Sequence, residues 1–241
     1  MGTNVRQNIV TNGLVLYLDA GNRISYTSGS TIWRNLSGDT TTSGSLSGLT
    51  LPSFDNNNLG NLVFNGTNQS VNCGSGLSQS GDWSVSAFAK LNTSSGTRNI
   101  IARSAGVPSY EQNYVLIYGG YAGSGNNGTK FALGTNANSY KAAVGITTVQ
   151  TGIWYHVAGT YNSTSKTLSL YVNGVLDGIA TGTTLPTTTG NQFVQIGCSD
   201  GATTANFWSG SIAQVQIYNR LLSAQEIAQN YNATKTRFGL T

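Results

Sequence analysis

The sequence predicts an all-β fold, a two-sheet sandwich or jelly roll with one short C-terminal helix. Three observations predict it. Short runs of residues alternate apolar with polar along most of the chain, turn-forming residues bound each run, and a helix-capping signature stands near the end.

Gly13-Leu14-Val15-Leu16-Tyr17-Leu18 opens the series and stops at the turn formers Asp19-Ala20-Gly21-Asn22. Leu62-Val63-Phe64 ends at Asn65-Gly66, and Ser70-Val71-Asn72-Cys73 follows. In Trp83-Ser84-Val85-Ser86-Ala87-Phe88-Ala89 the period of two puts Trp83, Val85, Ala87 and Ala89 on one face and Phe88 on the other. Ile100-Ile101-Ala102, Tyr114-Val115-Leu116-Ile117-Tyr118 and Lys130-Phe131-Ala132-Leu133 continue the pattern. The clearest hairpin is Thr167-Leu168-Ser169-Leu170-Tyr171-Val172-Asn173-Gly174-Val175-Leu176. Its Asn-Gly supplies the two positive φ angles of a type I′ turn, whose twist matches paired strands. Leu168, Leu170 and Val172 share one face, and Trp154-Tyr155-His156-Val157-Ala158-Gly159-Thr160-Tyr161 is expected as the neighbouring strand. The helix is expected from Ala224 to Tyr231. Ser223 caps it with Glu226 three residues on, and Leu222 and Ile227 form the matching hydrophobic staple.

No composition break or repeat divides the 241 residues, so one domain is expected over residues 13–241, preceded by a polar arm, residues 1–12. Only 8% of residues are charged, and Gly, Ser, Thr and Asn take their place, which suits many short strands and tight turns. The 38% hydrophobic and 10% aromatic content supplies material to bury and argues against disorder.

The net charge of +4 comes from scattered side chains with no basic run, so nucleic acid is not an expected partner. No stretch of about 18 apolar residues is present to span a membrane. The start, MGTNVRQNIVTNG, lacks the apolar core of a signal peptide. Cys73 and Cys198 are expected as buried thiols, although the sequence leaves open whether they pair.

The catalytic patterns are missing. Asp19, Asp39, Asp55, Asp82, Glu111, Asp177, Asp200 and Glu226 are the only carboxylates, and no two fall within ten positions of each other. A glycosidase needs two of them about 5 Å apart, or wider for inversion. His156 is the only histidine and sits inside a strand pattern without a nucleophile elbow, so it is expected as a packed side chain. One histidine and two separated cysteines fall short of an ordinary zinc site. The chain is therefore not expected to be an enzyme.

Four segments, in order, resemble the laminin G-like branch of the concanavalin A-like lectin/glucanase superfamily. Gly13 to Asn22 resembles the opening strand, and Val63-Phe64-Asn65-Gly66-Thr67-Asn68-Gln69-Ser70-Val71 its Phe-Asp-Gly-x-Asp-Asp-Tyr-Val segment. Trp154 to Ala158 with Tyr171-Val172-Asn173-Gly174 resembles the central hairpin, and Gly210 to Leu222 the closing strand before the short helix. The likeness covers about residues 10–233 and implies a concanavalin A-like jelly roll. It does not fix function, because the fold serves lectins, glycosidases, adhesion modules and structural parts alike.

The resemblance also raises calcium, which many relatives bind at the sandwich rim. Here Asn65 stands where Asp is usual, Thr67-Asn68-Gln69 replaces the acidic stretch, and Ala213 replaces an Asp. Calcium favours six to eight oxygens, usually with several carboxylates. Asn65, Asn68 and Asp200 are the candidate ligands, with turn formation as the competing role of the first two; otherwise no cofactor is expected. For a sugar, the candidates are Tyr118, Tyr121 and Asn126 in one loop and Asp200, Asn206 and Trp208 in another, where aromatic rings and amides occur together. The competing reading is that Phe207 and Trp208 seal the sandwich edge.

The chain looks most like domains of tailed-bacteriophage virion proteins. That resemblance implies a non-enzymatic virion structural protein, a capsid decoration or tail-fibre component, assembled in the host cytoplasm. Its partners are then other virion proteins or copies of itself, with a host-surface glycan as a second partner. A stand-alone carbohydrate-binding lectin or adhesin is the alternative.

Overall fold

The computed structural model describes residues 8–39, 41–77, 80–104, 112–119, 130–136, 140–185, 192–199 and 206–241. Over these residues the alternating runs become sixteen strands in two eight-stranded antiparallel sheets. In chain order they are β1 (Leu14–Asp19), β2 (Ile32–Trp33), β3 (Gly44–Ser47), β4 (Ser53–Asp55), β5 (Asn61–Asn65) and β6 (Ser70–Asn72). Next come β7 (Trp83–Leu91), β8 (Arg98–Ser104), β9 (Gln112–Tyr118), β10 (Phe131–Asn136) and β11 (Tyr140–Val144). The last are β12 (Trp154–Asn162), β13 (Thr167–Val172), β14 (Val175–Ala180), β15 (Phe193–Ile196) and β16 (Ser209–Tyr218), before the helix α1 (Ala224–Thr234). Short 3-10 turns cover Asn57–Leu59 and Lys235–Phe238.

The first sheet runs β14-β13-β12-β7-β16-β5-β4, with β1 also on β16; the second runs β11-β10-β9-β8-β15-β6-β3-β2. Between them lies the core, where Trp33, Trp83 and Trp208 are fully buried among side chains such as Val85, Leu116, Leu133, Leu170 and Val215. The parity read from the sequence holds. Trp83, Val85, Ala87 and Ala89 face the core, whereas Phe88 belongs to a separate cluster on the other side of its sheet. At the hairpin turn Asn173 and Gly174 have φ of 50° and 78°, and Val172 pairs with Val175.

The outer face of the first sheet is also buried, because the C-terminal segment lies across it. Ser223 and Glu226 form the expected capping box, and Leu222 and Ile227 meet in one cluster with Tyr218 and Tyr171. The helix runs three residues beyond the expected Tyr231. Phe238 then stacks on Phe88, with ring centroids 4.4 Å apart. Ser84 and Ser86 remain satisfied under this cover, through Leu222 N–H (2.9 Å) and Gln216 Oε1 (3.0 Å). Residues 8–12, counted with the arm in the sequence, are tied to this layer. Val10 N–H donates to Asn230 Oδ1 (2.8 Å), and its carbonyl accepts from Tyr218 OH (2.9 Å).

His156 is packed as expected, between the Phe88 ring at 4.8 Å and the Tyr231 ring at 5.9 Å. Cys73 and Cys198 are buried thiols, and burial pushes the Cys73 thiol up to about 12. Among the described residues no helix is long and apolar enough to cross a membrane.

Candidate functional site

The strand register gathers the described sequence-derived candidates at one end of the second sheet. Tyr118 pairs with both Arg98 and Phe131, and Ile196 pairs with Val71. The connections β5–β6, β7–β8, β9–β10 and β15–β16 therefore leave from the same rim. Tyr121, Asn126 and Asp200 lie outside the described residues.

Of the others, two are corrected by their burial. Tyr118 is 1% exposed, packs edge-on against Phe131, and donates its hydroxyl to Ser94 O at 3.2 Å. Trp208 is fully buried in the core, with its backbone N–H on Gly197 O at 2.7 Å. Neither ring offers a face to a sugar; Trp208 closes the sandwich edge. Asn206 is exposed but sits in the left-handed region at φ 55°, where its carbonyl accepts Asn99 N–H at 2.8 Å.

Asn65 and Asn68 are turn residues. Asn65 Oδ1 accepts the N–H groups of Thr67 (2.9 Å) and Asn68 (3.2 Å), and its Nδ2 donates to Asn68 Oδ1 (2.9 Å). Beside them stands Arg98, which the sequence reading passed over. Its Nη1 donates to Gly66 O (3.0 Å) and Phe207 O (2.8 Å), and its Nε to Ser95 O (3.1 Å).

A concavity opens on the other sheet. Strand β16 pairs with β5 through Ser209–Ile212 and with β1 through Gln214–Tyr218, so β1 and β5 lie end to end along one of its edges. A bulge between the two pairings leaves the Ala213 carbonyl to accept Ala20 N–H at 2.9 Å. At this seam lies an open groove of about 1510 Å³. Tyr17, Asp19 and Gln214 form its floor; the 3-10 turn at Asn57–Leu59 and the segment from Asn232 to Arg237 form its walls.

Among the described residues Asp19 is the one carboxylate lining the groove, and it is fully engaged. It pairs with Arg237 Nη1 at 2.7 Å and accepts from Gly21 N–H (2.9 Å), Gln214 Nε2 (2.8 Å) and Tyr17 OH (3.2 Å). Burial, and then the Asp19 charge, raises the Tyr17 phenol well above its ordinary range. Arg237 also donates to the carbonyls of Asn58 and Gly60, which fixes the 3-10 turn against the tail. Gln214 Oε1 is buried and has no hydrogen-bond partner. Around the mouth Asn56, Asn232, Thr236 and Arg23 are exposed.

The other described carboxylates hold loops. Asp39 binds Thr41, Asp55 the Asn57 N–H, Asp82 Ser163 and Asp177 Thr147. Glu226 is held by Arg220 at 2.6 Å and caps α1. Where their pKa shifts, it moves down. The Thr41 hydroxyl lowers Asp39, the Asn57 N–H lowers Asp55, and the Arg220 guanidinium brings Glu226 to about 2. A catalytic acid needs the opposite shift. Among the described residues no three His, Cys, Asp or Glu side chains gather as metal ligands.

Residues 65–228 match a laminin G-type family model described as the concanavalin A-like lectin/glucanases superfamily. Domain 4 of AbnA, an extracellular arabinanase from Geobacillus stearothermophilus solved in complex with arabinotriose, superposes with a TM-score of 0.68 at 18% identity. That alignment covers 90% of this chain and 98% of the domain. A Trypanosoma rangeli sialidase superposes with a TM-score of 0.65 at 16% identity, over 93% of this chain but only 33% of the sialidase. No curated protein matches the sequence. Of the groove residues named above, only Gln214 falls inside the segment that matches the family model.

Proposed function

We propose that this chain, which belongs to the concanavalin A-like lectin/glucanases superfamily, is a non-catalytic glycan-binding module with its ligand in the groove at the β1–β5 seam. The observation that carries the reading is the chemistry of that groove. Its mouth offers neutral amides and a hydroxyl at Asn56, Asn232 and Thr236, all exposed. Sugar hydroxyls both donate and accept, so uncharged amides suit them. Asp19 already accepts four hydrogen bonds or ion contacts, so it is unsuited to attack or to proton transfer. The arabinotriose complex of the structurally similar arabinanase domain supports a short oligosaccharide as the ligand class.

The test is an oligosaccharide array that includes arabinotriose, followed by calorimetry on what binds. The paired variant Asn56→Ala/Asn232→Ala is expected to bind about tenfold more weakly, the equivalent of about 1.4 kcal/mol, with an unchanged melting temperature. An array without binders, or a variant that binds like the parent, rejects the reading.

A second reading, assembly as a capsid decoration or tail-fibre component of a tailed phage, is favoured by a different surface. Edge strand β14 exposes Val175 (68%), Leu176 (46%) and Ile179 (56%), and the adjoining Ile146 is 77% exposed. Apolar side chains grouped on an edge strand invite a covering partner. Light scattering on Val175→Lys/Ile179→Lys tests it: an oligomer that dissociates supports assembly, and a parent chain that is already monomeric opposes self-assembly.

A further inference from the structure

The fold family implies calcium at the sandwich rim, and among the described residues, which do not include Asp200, the donor set does not fit it. Calcium needs six or more oxygens turned toward one point, usually with carboxylates among them. Asn65 Oδ1 is taken by two backbone N–H groups, and Asn68 Oδ1 by the Asn65 amide. The carbonyls of Gly66 and Phe207 already face a cation, the Arg98 guanidinium, at 3.0 and 2.8 Å.

We infer that Arg98 is the built-in cation of this rim, holding together the three connections that a metal ion would otherwise join, so that the rim is closed without calcium. The geometry requires an arginine. Its planar fork reaches Ser95 O with Nε while Nη1 spans Gly66 O and Phe207 O, so one rigid group bridges the β5–β6, β7–β8 and β15–β16 connections. A lysine has three donors on one atom at the end of a flexible stem and lacks the Nε that reaches Ser95 O, so it replaces the bridge only in part. A dication placed among the same carbonyls meets the fixed positive charge and gains no carboxylate from Asn65 or Asn68.

The experiment uses the full chain and follows thermal unfolding with excess calcium chloride or with EDTA, together with amide hydrogen exchange. The parent is expected to melt at the same temperature in both solutions. Arg98→Ala is expected to melt several degrees lower, with faster exchange at Thr67, Asn68 and Trp208 and unchanged exchange at Asn173 and Gly174. Arg98→Lys is expected to recover only part of the loss. A parent that melts higher in calcium than in EDTA overturns the inference, and this holds even where Arg98→Ala fails to fold. Exchange at Thr67 and Trp208 that is the same in Arg98→Ala as in the parent overturns it equally.

Discussion

His156 shows how burial settles a residue's role. It is 1% exposed between two aromatic rings, and desolvation brings its imidazole down to about 3. The unfolded chain takes up this proton near pH 6.5, whereas the folded chain resists it until about 3. The unfolded state therefore binds more protons throughout this window. Stability from this residue is full above pH 6.5 and declines as pH falls, by up to about 1.4 kcal/mol per pH unit. His156→Phe is expected to flatten that part of the melting-temperature profile, which thermal scans from pH 7 to 4 will show. The Asp19–Arg237 pair is the other decisive contact. Arg237→Ala leaves a buried carboxylate unpaired and is expected to cost about 3 kcal/mol or more in chemical denaturation. No sequence pattern announces that pair, because its members lie 218 positions apart. The burial of Tyr118 and Trp208 was more legible. Tyr118 continues the inward parity of Tyr114 and Leu116, and Trp208 that of Ile212 across Gly210. Their aromatic character drew attention to a ligand where alternation pointed to the core.

Elements were legible in proportion to how much local information they carry. The Asn173-Gly174 turn and the Ser223–Glu226 box are each specified within four residues, and both formed as expected. Ser223→Ala is expected to lower stability by about 1 kcal/mol, read as a fall of about 2–4 °C in melting temperature. The strands β2, β3, β4, β11 and β15 escaped the sequence reading because they contain only two to five residues. In β3, Gly-Ser-Leu-Ser, one apolar side chain points inward, and pairing with β2 and β6 makes it a strand. The helix extends past Tyr231 for a tertiary reason as well. Asn230 bonds both Val10 N–H and Tyr218 OH, so the N-terminal segment and β16 brace a stretch of modest helix propensity.

On the scale of the whole molecule, the groove is assembled from chain segments near the start, the first quarter and the end of the sequence, joined across β16. That explains why it was invisible in a linear reading, which had only the Asn56-Asn57-Asn58 run to offer as a local trace. It also places the groove largely outside the segment that matches the family model, with its lining drawn from the first quarter of the chain and the tail. The fold was readable because alternation repeats in strand after strand; the groove was not, because each wall contributes only a few polar residues that have no periodicity. The central claim is that a glycan binds there and leaves unchanged. The most direct measurement is an amide NMR titration of the full chain with the tightest oligosaccharide from the array, with the sugar signals followed in the same tube. The expected result is shifts concentrated at Gly21, Asn22, Asn57, Leu59 and Asn232 to Thr236, with the oligosaccharide intact. Shifts confined to the rim around Asn65, Asn68 and Asn206, or appearance of cleaved sugar, would contradict it.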